Sequence, residues 1–115
     1  MTATELKEIL EKHKKWLNDE DGGERANLRY ADLRGADLLG ADLDYSCLPL
    51  WCGSFHAHFD DRQIIQILYH AVKAGTESPN VSDELKGVLW GLADTANKFH
   101  RVEECGKIER RKDNV

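Results

Sequence analysis

The side chains best equipped for chemistry crowd into one stretch. Cys47, Cys52, His56 and His58 place four nitrogen and sulfur donors within twelve residues, and thiolate and neutral imidazole are the groups that zinc takes. Their spacing departs from the paired Cys-x-x-Cys knuckle, so two small buried thiols and two surface histidines are the plainer reading. Asp60 and Asp61 form an adjacent carboxylate pair, which a helix cap explains better than acid–base work. His100 beside Glu103 or Glu104 could relay a proton, or simply end a solvated helix. No Gly-rich phosphate loop, His-Glu-x-x-His or Gly-x-Ser-x-Gly occurs in the chain. The expectation is a protein that is not an enzyme and needs no cofactor.

The elements that must hold these groups belong to a short chain. Its 115 residues are enough for a single domain, 1–115, with 41% hydrophobic and 32% charged residues. The formal charge of −5 argues against direct nucleic-acid binding, which needs a basic face. Met1–Lys7 alternates charge and carries no apolar run, and no stretch is long enough to span a bilayer. These features predict a cytoplasmic protein with no membrane contact, its three cysteines reduced.

Leu6, Ile9, Leu10, His13, Trp16 and Leu17 recur at helical steps and predict an N-terminal helix over 3–17. Thr2 and Glu5 fit a capping box, and Asn18–Gly23 reads as a stop. The C-terminal helical region, 60–104, divides in two. One helix, capped by Asp60 or Asp61, runs to Ala74 before Gly75 and buries Ile64, Ile65, Leu68 and Val72. A second runs from Ser82 to about Glu103, with Leu85, Val88, Leu89, Leu92, Ala96 and Phe99 on its buried stripe. Gly87, Trp90 and Gly91 give that helix a flat back suited to close packing or a homodimer contact. A charged tail, 106–115, is expected to fray.

Between the helices the period changes to five. Ala26-Asn27-Leu28, Ala31-Asp32-Leu33, Ala36-Asp37-Leu38 and Ala41-Asp42-Leu43 repeat one motif, and Ser46-Cys47-Leu48 is a weaker fifth copy. Neither a helix nor a strand keeps every fifth residue on one face, so the repeat overrides local propensity. The segment 26–50 resembles the pentapeptide-repeat family. That resemblance implies an α+β fold: a short right-handed quadrilateral β-helix of about one coil, capped by the N-terminal helix and by the C-terminal helices. Its core would be Leu28, Leu33, Leu38, Leu43 and Leu48 with Ala26, Ala31, Ala36 and Ala41. Residues twenty apart would stack, Leu28 beside Leu48 and Asn27 beside Cys47. Trp51 is too large for the next inward position, so the coil is expected to end near Leu50. Trp16 and Leu17 are expected to face the bottom of the coil.

The segments 44–54 and 97–105 are similar to those of small pentapeptide-repeat proteins of bacteriophages and prophages. The resemblance implies an accessory protein acting in the cytoplasm of a bacterial host. The expected function is to bind and inhibit a host protein that handles nucleic acid, in the manner of an anti-CRISPR or a DNA-mimic inhibitor. One coil advances only about 4.8 Å, far short of the roughly 34 Å turn of duplex DNA. If DNA is imitated, the acids must therefore come from the helices or from a dimer, through Glu5, Glu8, Glu11, Asp60, Asp61, Asp83 and Glu84. A structural or assembly protein acting as a homodimer is the alternative, and a zinc-stabilised regulator a further one.

Overall fold

The computed structural model describes residues 1–48 and 51–110. The chain divides into two compact units, Met1–Asp60 and Asp61–Val115.

The first unit opens with α1, Ala3–Leu17. The Thr2 hydroxyl accepts from the Glu5 N–H at 3.1 Å, and Glu5 Oε1 accepts from the Thr2 N–H at 3.2 Å, a reciprocal cap on the helix's orphan donors. The bond from the Thr2 main chain is the main reason the Glu5 carboxyl titrates below its ordinary range. Lys14 and Lys15 occupy the last turn, where cations suit the helix dipole. Gly22 (φ 80°) then helps the chain reverse. At Gly23 the returning chain touches the helix so closely that a Cβ would lie 2.4 Å from the Trp16 nitrogen.

The repeat segment winds by β-turns. Ala31, Ala36, Ala41 and Ser46 each donate their N–H to the carbonyl of the leucine three residues before, at 2.9–3.0 Å. Asn27, Asp32, Asp37 and Asp42 each accept, through Oδ1, the N–H two residues on, at 3.0–3.2 Å. The polar position of the motif is thus an Asx brace for the turn that follows it. Gly35 and Gly40 take φ of 75° and 74° at the third turn position, and Tyr45 takes 63° without glycine's freedom. With a turn every five residues, the leucines face one interior. Leu28, Leu33 and Leu38 are wholly buried and Leu43 and Ala26 nearly so, while Ala31, Ala36, Ala41 and Leu48 are half-buried.

The winding does not stop near Leu50, a residue outside those described. A second course follows, bonded to the first: Leu28 N–H to Cys47 O, Leu33 N–H to Gly53 O, Gly35 N–H to His56 O and Leu38 N–H to His58 O, at 2.8–3.0 Å. His58 N–H returns a bond to Ala36 O at 2.7 Å, and Asp60 Oδ2 accepts from the Gly40 N–H at 2.8 Å. Main-chain pairing needs only N–H and C=O groups, so this course forms without the motif. The pairing step is twenty residues at Asn27 and Cys47 and twenty-one at Asp37 and His58. Between these points lies a 3-10 turn, Cys52–Ser54. Trp51 is 46% exposed and lies over Gly53, where a Cβ would come within 2.2 Å of its ring.

The expected quadrilateral β-helix is therefore not the fold class. The described residues hold five α-helices, one 3-10 turn and two isolated parallel bridges, with no strand and no sheet. Turns every five residues leave each segment between them too short for a ladder, and the first course has a bonded neighbour on one edge only. Helices dominate instead. The face that α1 turns to the leucines also differs from expectation: Leu6, Ile9 and Leu10 pack with Leu28, Leu33 and Leu38, whereas Trp16 remains 38% exposed.

The second unit contains α2 (Asp61–Glu77), α3 (Asp83–Trp90), α4 (Ala93–Ala96) and α5 (Val102–Cys105). Helix α2 continues through Gly75, because the absent Cβ makes room for Leu89, whose Cδ1 would otherwise be 2.4 Å away. The expected long helix from Ser82 breaks after Trp90 and again after Ala96, and these breaks reset the phase of its apolar stripe. Leu85, Val88 and Leu92 are exposed, as is Ile64 on α2. The core is Tyr69, Val72, Ala96, Phe99 and Ile108. Tyr69 stacks on Phe99 at 4.6 Å between centroids and donates its hydroxyl to Gly106 O at 2.5 Å. Burial raises the pKa of that phenol. As far as Ile108 the tail is held where fraying was expected: Asn97 exchanges two bonds with the Ile108 main chain, at 2.8 and 2.9 Å. Arg111, Lys112 and Asp113 lie outside the described residues.

Leu33→Ala is expected to cost about 2–5 kcal/mol as a fully buried truncation. Gly40→Ala is expected to cost about 1–2 kcal/mol, because its positive φ strains any L side chain although no atom lies within 4 Å of the added Cβ. Denaturant unfolding of the two variants checks both values and their order.

Candidate binding groove

The first unit carries an open groove of about 840 Å³ between α1 and residues 32–42 of the winding. Its floor is apolar, from Leu6, Leu10, Leu33 and Ala36. One wall carries Lys7, Glu11 and Lys14, which the helical period puts on one face of α1. The other carries Asp32, Asp37 and Asp42. Leu39, 58% exposed, stands at its edge.

The charges of the groove are unevenly satisfied. Asp32 is taken up by Arg34, with Oδ1 2.9 Å from Nε and Oδ2 2.6 Å from Nη2. Arg34's side chain, its main-chain N–H and its charge lower the Asp32 carboxyl to about 2 and raise the guanidinium. Lys7 and Lys14 make no ion pair among the described residues, and Asp37 makes none there either.

A buried histidine fixes the groove's two sides relative to each other. His13, fully buried on α1, accepts the Ala26 N–H at Nδ1, at 3.0 Å. Its Nε2 lies 2.8 Å from Asp44 O. An amide N–H can only donate and a carbonyl only accept, so the ring is neutral with its proton on Nε2. One side chain thus ties the helix to both the first and the fourth motif of the winding. Trp16 stacks on its outer side at 5.8 Å, with Tyr45 edge-on at 6.1 Å and the Arg25 guanidinium 5.9 Å from the Trp16 centroid. Sequence reading placed His13 on an apolar face. Only the distant partners Ala26 and Asp44 disclose its role, and nothing local in the sequence points to them.

Cys47, Cys52, His56 and His58 are all exposed, the thiols are free, and no three of the four bring donor atoms within 4.8 Å of one another. The thiols expected to be buried are thus on the surface. Glu5 is committed to its cap and Asp60 to Gly40, while Glu8 and Glu11 are exposed on α1. In the second unit Asp61 begins α2, and Asp83 and Glu84 form the exposed first turn of α3. Gly87 faces open space, so it marks no close packing within the unit. Trp90 packs against the core and lies 6.0 Å from the Arg110 guanidinium, while Gly91 caps α3. Glu104 pairs with Arg101 at 2.6 Å, Oε2 to Nε. No helix among the described residues is long and apolar enough to cross a membrane.

The family model described as Pentapeptide repeats (8 copies) matches residues 24–49. That stretch is a pentapeptide-repeat segment, and the match ends before Gly53, His56 and His58, which pair back onto it. No curated protein matches the chain, and no solved structure matches it.

His13→Phe keeps the ring's bulk but strands a buried N–H and a buried C=O. It should cost about 2–4 kcal/mol and speed hydrogen exchange at the Ala26 amide. In Arg34→Met the Asp32 midpoint should rise from about 2 toward 3.8. With Arg34 in place the ion pair persists at neutral pH and is lost only as pH falls through about 2. Carboxyl carbon NMR across an acid titration reads this shift.

Proposed function

We propose that this chain is a non-enzymatic binding protein that occupies and blocks a host protein handling nucleic acid, and that it acts as a phage or prophage accessory factor. The observation that carries the binding reading is the groove. It offers an apolar floor between a wall carrying Lys7, Glu11 and Lys14 and a wall carrying Asp32, Arg34, Asp37 and Asp42, and Lys7, Lys14 and Asp37 make no ion pair among the described residues. Such a surface is arranged to receive charge from a partner. The phage origin rests on the sequence resemblance at 44–54 and 97–105.

The structure bears on how a nucleic-acid-handling target could be met. The winding offers no clean acidic face: Asp32 is neutralised by Arg34, and Arg29 lies 4.6 Å from the Tyr30 centroid on the exposed side. Of the acids singled out from sequence, those left for a basic partner in the first unit are Glu8 and Glu11 on α1. The alternative, a homodimer serving assembly, draws on Leu85 and Val88, which are 50% and 62% exposed on α3. Binding by Glu8→Lys/Glu11→Lys should fall about tenfold or more when the full chain captures its target from host lysate. Unchanged capture, or capture of no nucleic-acid-handling protein, overturns the inhibitor reading. A dimer in light scattering that Val88→Glu dissolves would favour assembly.

A further inference from the structure

The pairing of the two courses leaves one edge of the winding open. In parallel pairing a residue directs its N–H and C=O to one side and its neighbours direct theirs to the other. Ala36 and Leu38 bond to His58 in the second course, and Leu33 bonds to Gly53. Asp37 and Asp32, adjacent to them, therefore direct their main-chain groups the opposite way. Among the described residues, the main-chain N–H and C=O of Asp32, Asp37 and Asp42 make no hydrogen bond. The same three residues line the groove, and the residues of the second course do not. The groove is thus the space beneath an unpaired backbone edge.

Exposed edges of this kind are templates for another chain. Here the occupant is constrained on three counts. Another copy's winding cannot stack on this edge, because Leu6, Ile9 and Leu10 of α1 cover the leucines at its centre. A single extended segment fits beside the helix instead. The 15 residues of α1 extend about 22 Å, the reach of roughly six or seven extended residues. Charge then sets its composition. A segment bonded to this edge directs alternate side chains toward α1 and away from it. Those toward α1 meet Lys7, Leu10, Glu11 and Lys14, a wall of net positive charge, and those away run on the side of the Asp37 and Asp42 carboxylates.

We infer that the groove binds an extended peptide segment of another protein. Its backbone pairs with Asp37, its acidic or apolar side chains face α1, and its alternate side chains are basic. The inference rests on the binding reading above but not on the identity of the host target.

The test uses the full chain, isotopically labelled, and an acetylated heptapeptide alternating Glu or Leu with Lys. Three comparison probes accompany it: the same peptide N-methylated at its central residue, the same composition in separate acidic and basic blocks, and the protein variant Lys7→Glu/Lys14→Glu. The alternating peptide should shift the amides of Asp32, Asp37 and Asp42 and slow hydrogen exchange at Asp37. N-methylation should weaken binding about tenfold, the cost of a lost main-chain bond. Blocking the charges, or reversing Lys7 and Lys14, should weaken it similarly. The inference is overturned if the alternating peptide does not bind, if the shifts lie away from this edge, or if the N-methylated peptide binds equally well. Loss of host capture in a Glu8→Lys variant, whose site lies outside the groove lining, with peptide binding intact separates this site from the target-blocking surface.

Discussion

A leucine at every fifth position admits neither helix nor strand, and the first unit follows from how the backbone answers that constraint. Each motif turns the chain once, and the turn is secured twice, by the leucine carbonyl accepting from the next alanine or serine and by the Asx bond. The two bonds are local, so they can form before any core exists. What they cannot do is hide the leucines. That requires α1 on one side, where Leu6, Ile9 and Leu10 close the interior, and a second course carrying Ala57 and Phe59 into the same cluster. A solenoid of so few turns is stable only when its ends are covered.

His13 shows how the cover is fixed rather than merely attracted. Apolar contact is non-directional and would let α1 slide along the leucines. A buried imidazole with a donor demanded at one nitrogen and an acceptor at the other permits one position only. The surface cluster of Trp16, Tyr45 and Arg25 shelters that ring from one side. In the second unit Asn97 plays a comparable part, its amide taking both main-chain groups of Ile108 and so holding the last core residue against Tyr69 and Phe99.

Much of this was legible from residues close together in the chain. Thr2 and Glu5 announce the start of α1, Asn18–Gly23 its end, and the alanine–aspartate–leucine spacing announces inward leucines. The misreadings share a cause: they concern pairings that no local pattern encodes. The second course pairs through main-chain atoms, so Trp51 looked like an end when it was only a bulge on the outside. Gly75 looked like a helix stop, but its purpose is the space it leaves for Leu89. The stripe from Leu85 to Phe99 reads as one helix until the breaks after Trp90 and Ala96 are known. The groove was invisible for the same reason, since its polar edge consists of backbone.

The two bridges carry a last implication about chain length. The step from one course to the next is twenty residues at one bridge and twenty-one at the other, so the extra residue is absorbed between Cys47 and His58. Inside residues 26–45 no such slack exists, because each leucine is phased by the turn before it. Natural variation in length within that interval would have to come in quanta of five. Single insertions would be tolerated only downstream, where the register is already loose.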